Sequence, residues 1–194
     1  MYQYFTLNKP YGIQSAFLPG NEKNGLRSVF DFPRGVYPLG RLDKDSEGLL
    51  ILTNDPALNR RLLLPGFGHE REYWVQVEGI ITETAVAALR NGVNINLGGK
   101  TYRTLPCQVE IPATPIYFPP RIPPIRFRKN IPDSWIQMIL REGKNRQVRK
   151  MGAAVGFPVL RLIRYRIQGI TLEGLEPGRV REWKGAALLA ALFP

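Results

Sequence analysis

Residues 40–55 read GRLDKDSEGLLILTND and hold the densest set of groups able to do chemistry. Asp43 and Asp45 stand beside Arg41 and Lys44, directly before the apolar run Leu49-Leu50-Ile51-Leu52. A carboxylate at the mouth of a rigid core strand can act as a nucleophile or a general base, and a neighbouring guanidinium favours its ionised form. A solvated charged turn would have the same composition. A second group lies at 141–151, REGKNRQVRKM, where Arg146 and Arg149 are three residues apart and share a face of a predicted helix. Tyr73 is a third candidate. It sits in an alternating segment on the same face as Val75 and Val77, which suggests an inward ring.

Other chemistries are excluded by what the chain lacks. It has no glycine-rich loop of the P-loop or dinucleotide type. His69 is the only histidine and Cys107 the only cysteine, so neither a Cys/His zinc site nor an internal disulfide can form within one chain. His69, in GFGHERE, reads as a surface loop residue, and Cys107 as a small apolar strand residue. A glycoside hydrolase needs a second acid across a cleft, and Glu47 or Asp45 could supply it. A strongly basic chain suits a neutral sugar poorly.

Lys and Arg number 27 against 16 Asp and Glu, a net charge of +11 with a pI near 10.1. Such an excess points to a polyanion, because basic side chains that neutralise phosphates release counterions. Nothing in the chain reads as a basic amphipathic helix, a lipidation signal, a secretory leader or a membrane span. RNA or DNA is therefore the expected partner and a reducing cytoplasm the expected compartment, with no membrane and no metal.

The elements that must position these groups follow from pattern. Tyr2 to Asn8 reads as a strand, followed by a turn at Lys9 to Gly12. One helical turn is expected around Leu26 to Phe30, a turn-rich segment over Val36 to Asp45, and a buried strand over Gly48 to Thr53. Asn54-Asp55-Pro56 starts a helix that stops at Pro65-Gly66. Arg71 to Glu78 is an alternating strand, and Thr82 caps a helix ending near Asn91-Gly92. Short strands follow near 93–97, 101–105 and 107–111. Residues 112–133 hold seven prolines and form an extended loop of functional length. A strand over Ser134 to Leu140, a helix from Asn145 to Gly156, strands at Val159 to Tyr165 and Arg179 to Lys184, and a terminal helix over Gly185 to Phe193 complete the chain. Strands outnumber helices without regular βαβ alternation, which predicts a mixed α/β (α+β) chain with a mainly antiparallel sheet.

The run GRLDKDSEGLLILTND resembles the signature of the RsuA-type pseudouridine synthases, whose catalytic aspartate is the one in Arg-Leu-Asp. FTLNKPYGI (5–13) is similar to that family's opening motif, and REYWVQVEG (71–79) to its strand bearing the active-site tyrosine. REGKNRQVRKM (141–151), followed by LRLIRYRIQGITLEGLEPGRVREW (160–183), is similar to its C-terminal block. Four motifs in order and at the right spacing carry far more weight than any one.

The resemblance implies the pseudouridine synthase fold: one catalytic domain over 1–194 in two lobes, approximately 1–66 and 67–194, with an RNA-binding cleft. It implies isomerisation of uridine to pseudouridine without cofactor, with Asp43 as catalytic carboxylate, Arg149 as its positive partner and Tyr73 stacked on the target base. Arg41, Lys9, Lys144, Arg146, Arg126, Arg128, Arg161 and Arg164 are expected along the RNA, with Lys9 equally a support for nearby backbone. PPIRFRKNIPDSW (123–135) narrows the resemblance to members acting on large-subunit (23S) ribosomal RNA, free or in a pre-ribosomal particle. Other members carry an S4-type RNA-binding domain before the first motif; none is expected here, and a monomer is expected. Small-subunit or transfer RNA as substrate, or a non-catalytic ribosome-assembly role, are the alternatives.

Overall fold

Strand β3 (Glu47–Thr53) is buried at all seven positions, as a strand covered on both faces must be. It organises the first of two compact units in the computed structural model, which describes residues 1–17, 22–63, 68–114, 117–125 and 131–194. That unit comprises Met1–His69 and Ile163–Pro194, and the second comprises Glu70–Leu162.

In the first unit, β1 (Tyr4–Lys9) runs antiparallel along one edge of β3, from Tyr4 opposite Thr53 to Lys9 opposite Gly48. The far edge of β1 takes β11 (Val180–Trp183), with Leu7 opposite Val180. The other edge of β3 is shared. Strand β2 (Tyr37–Leu39) covers Ile51 to Thr53, and the end of β9 (Val159–Ile167) pairs in parallel with Glu47 and Gly48. Strand β10 (Ile170–Thr171) folds back on β9. Both β2 and β10 lie in segments where the sequence shows no strand alternation; β2 comprises only three residues, set by its long-range partner.

Phe5 and Leu7 of β1 and Leu50 and Leu52 of β3 pack with Leu26, Phe32 and Val36 in one core. Phe32 is its aromatic hub, meeting Phe5 edge-on at 5.6 Å and Phe30 at 4.9 Å. On the opposite face of β1, the Tyr4 hydroxyl donates to Asp55 at 2.9 Å. Asp55 also caps helix α1 (Pro56–Leu63), accepting from the Ala57 amide at 2.9 Å. The Trp183 indole donates to the Thr6 hydroxyl at 3.0 Å.

His69 is buried rather than exposed as the sequence suggested. Its Nε2 lies 3.0 Å from the Arg61 carbonyl, and its ring meets Phe193, which follows α4 (Gly185–Leu192). Arg61 stacks over the same Phe193 ring at 3.6 Å. A terminal aromatic thus covers a loop residue that no local pattern marks.

In the second unit, β4 (Arg71–Glu78) and β8 (Asp133–Leu140) pair antiparallel over their whole length. Strand β7 (Gln108–Glu110) adds to β8, and β5 (Asn94–Leu97) with β6 (Lys100–Arg103) makes a separate ribbon. Val75, Val77, Ile136 and Met138 form a core with Val86 and Leu89 of α2 (Glu83–Arg90) and Val148 and Met151 of α3 (Gln147–Ala154). Thr82 caps α2 through a 3.2 Å bond from the Ala85 amide. On the other face of the sheet, Phe118 stacks on Trp135 at 5.8 Å and meets Trp74 at 6.0 Å. The described residues of 112–133 form neither helix nor strand up to the start of β8, in line with the proline count. Among the described residues no helix is long and apolar enough to cross a membrane.

Candidate active site

The turn that carries Asp43 is built at the head of β3 and tied to the turn that ends β1. Ser46 N–H donates to the Asp43 carbonyl at 3.0 Å and closes the turn. Gly12, at φ +84°, donates its amide to the Lys44 carbonyl at 2.8 Å. Ser15 Oγ donates to the Leu42 carbonyl at 2.8 Å and accepts from the Leu42 amide at 3.1 Å. Both flanks of Asp43 are thereby fixed, with Leu42 buried beneath, Asp43 half-buried and Arg41 exposed.

Lys9 is the internal support of this arrangement. Its side chain is fully buried, and its ammonium donates to the carbonyls of Pro10 at 3.0 Å and Ile13 at 2.7 Å. Burial pushes the Lys9 pKa down to about 8; Glu47, Asp45 and Asp43 act against that shift and Arg164 adds to it. The cation therefore stands among three carboxylates of the 43–47 segment and one guanidinium. Lys9 is engaged with backbone, the supporting role that the sequence left open beside RNA contact.

Gly48 links this cluster to β9. It pairs with Lys9 on one side and with Arg164 on the other. At φ +108° it holds a backbone conformation that side-chain-bearing residues avoid, and a Cβ there would lie 2.3 Å from the Arg164 carbonyl oxygen. Along the edge that β2 and β9 share, Leu49 lies between their two stretches, and Arg164 Nε donates to its carbonyl at 2.8 Å.

Arg161 and Arg164, expected as phosphate contacts, are only 6% and 5% exposed. Arg164 serves the sheet through Leu49. A Lys or Arg on a strand looks the same in sequence whether its head group meets solvent or caps a carbonyl.

The remaining candidates lie in the second unit. Tyr73 is half-buried, packed against the core and opposite Met138. Arg149 is half-buried on α3, and its Nη1 donates to the Val159 carbonyl at 3.2 Å. Lys144 and Arg146 are exposed on the turn before α3. The helix begins at Gln147 rather than Asn145, because Arg146 adopts a left-handed conformation at φ +53°. Arg126 and Arg128 lie outside the described residues. Two residues of consequence were not singled out by sequence reasoning: Ser15, a small polar residue with no local signal, and Glu142, whose partners Tyr102 and Leu105 are remote in the chain.

The family described as RNA pseudouridylate synthase matches residues 3–154. A ribosomal large subunit pseudouridine synthase E of Vibrio vulnificus is 47% identical over 183 residues, covering 93% of this chain and 74% of the relative. The protein of the same name from Xanthomonas axonopodis pv. citri is 47% identical over 175 residues, covering 88% of each. A crystal structure of a pseudouridylate synthase superposes with a TM-score of 0.79 at 28% identity, over 99% of this chain and 74% of that one.

Proposed function

The chain belongs to the RNA pseudouridylate synthase family, and from that premise we propose that it isomerises a uridine of 23S ribosomal RNA with Asp43 as the reacting carboxylate. The observation that carries the site assignment is the double anchoring of the Asp43 turn, by Ser15 on one flank and Gly12 on the other. A catalytic carboxylate gains from being held in one geometry before the substrate arrives.

The reaction breaks the bond between uracil N1 and the ribose, turns the base, and joins C5 to the same ribose carbon. Atoms are conserved: the C5 proton leaves at the end, and N1, released from the ribose, takes one up. Asp43 starts it, either by attack on the anomeric carbon or by removal of a ribose proton. The family motifs assign Tyr73 to the face of the target base and Arg149 to the charge of the carboxylate. The uridine must leave its stack before an enzyme group can reach its ribose, which favours an opened single strand. Lys144, Arg146 and Arg41, all exposed, are suited to phosphates along that strand. We assign the protein to the cytoplasm, acting as a monomer on free RNA or a pre-ribosomal particle.

Pseudouridine mapping of 23S RNA, with and without the gene, tests the substrate. Loss of one modified position on deletion, restored by the wild-type gene and not by Asp43→Asn, is the expected result. An unchanged map would refute the assignment.

A further inference from the structure

The connection from β8 to α3 contains a carboxylate that the isomerisation does not use. Glu142 stands two residues beyond β8, and its Oε1 accepts from Gln147 Nε2 at 2.6 Å and from the Leu105 amide at 2.8 Å. Its Oε2 accepts from the Tyr102 hydroxyl at 2.6 Å. That bond, first, and burial, second, raise the Tyr102 pKa. Gln147 in turn closes the intervening turn twice. Its Oε1 accepts from the Lys144 amide at 2.9 Å, and its own amide donates to the Lys144 carbonyl at 3.1 Å.

Three features make this network more than a local tie. Gln147 is only 4% exposed, so its amide needs both partners. Arg146, the residue before it, holds φ +53°, a conformation that a non-glycine residue keeps only when its surroundings dictate it. Lys144 lies with its ammonium 5.1 Å from the centre of the Tyr102 ring, the same tyrosine that Glu142 holds. A carboxylate beside cations that bind a polyanion is electrostatically adverse, so its presence calls for a structural role.

We propose that Glu142 is a positioning residue for RNA binding, holding the 143–147 turn so that Lys144 and Arg146 meet the phosphates of the substrate strand. This rests on the reading of the chain as an RNA pseudouridine synthase. Helix α3 is held independently by the buried Val148 and Met151, so loss of Glu142 affects the turn more than Arg149.

The test compares full-length wild type, Glu142→Ala and Glu142→Gln on a 23S RNA fragment, with Kd measured across salt concentrations and kcat and KM measured separately. Glu142→Ala is expected to raise Kd and KM about tenfold, to change kcat by less than about threefold, and to lower the slope of log Kd against log salt by about one to two. Glu142→Gln keeps an acceptor oxygen and the shape, and stays within about threefold of wild type. Adding Glu142→Ala to a Lys144→Ala/Arg146→Ala protein should weaken binding by no more than about twofold further. If Glu142→Ala does not fold, Gln147→Met removes the Gln147 side-chain links to Glu142 and to the Lys144 amide at similar volume, and should show the same loss of slope. Wild-type or tighter binding with an unchanged slope in Glu142→Ala, or in Gln147→Met where Glu142→Ala does not fold, overturns the proposal. Failure of wild type to form pseudouridine would instead overturn the functional reading.

Discussion

Gly48 and Arg164 meet across a parallel strand pair so closely that a methyl group at position 48 would stand 2.3 Å from the Arg164 carbonyl oxygen. The strand that follows the Asp43 turn can join β9 only because residue 48 has no side chain. Gly48→Ala introduces both a backbone clash and a strained φ of +108°. We expect a loss of about 3 kcal/mol or more of stability, read by denaturant unfolding. A variant as stable as wild type would disprove the register.

Asp43→Asn replaces a half-buried charge by an isostere and leaves the hydrogen bonds of the turn to backbone atoms and Ser15 intact. Turnover should fall below detection while melting temperature and RNA affinity remain near wild type. Tritium release from uracil-labelled RNA measures the first, and filter binding the last. Full turnover by the variant would remove Asp43 from the mechanism.

Lys9→Met tests the buried cation through pH. Below about 8 both the folded and unfolded chain carry the Lys9 proton, and its contribution to stability does not vary. Between about 8 and 10.5 the folded chain has lost the proton while the unfolded chain keeps it, so stability rises with pH. The rise amounts to about 3 kcal/mol across that window. Its difference from the variant isolates Lys9 from other groups that titrate there. Parallel stability curves for the two proteins over that range would contradict the placement of the ammonium.

Tyr73→Phe keeps the ring against the core and removes only the hydroxyl. If that hydroxyl handles the C5 proton, kcat should fall by about a hundredfold or more with little change in RNA affinity. A variant with wild-type kcat would confine Tyr73 to stacking.

Much of this was legible locally. Asn54-Asp55-Pro56 and Thr82 announced their helices because capping is a matter of a few adjacent residues. Arg71 to Glu78 announced its strand because one face is core and the other carries Glu72, Trp74 and Gln76. The carboxylate turn was legible as a candidate from its charges. What holds it was not: Ser15 and Leu42 are 27 residues apart, and their hydrogen bonds are a tertiary fact. The burial of Arg164 depends on β2 ending short of β9 along the same edge, and that of His69 on the last turn of the chain. The left-handed Arg146 lies inside a turn that the Gln147 side chain closes onto the Lys144 amide, and no local propensity announces it.

The three tryptophans are divided between the units, with Trp74 and Trp135 beside Phe118 in the second and Trp183 on β11 in the first. Each unit therefore has a native fluorophore of its own. In a Trp183→Phe protein, indole emission reports the second unit alone. In a protein with Trp74 and Trp135 replaced by phenylalanine, it reports the first. Melting each half can thus be watched separately without attaching a dye.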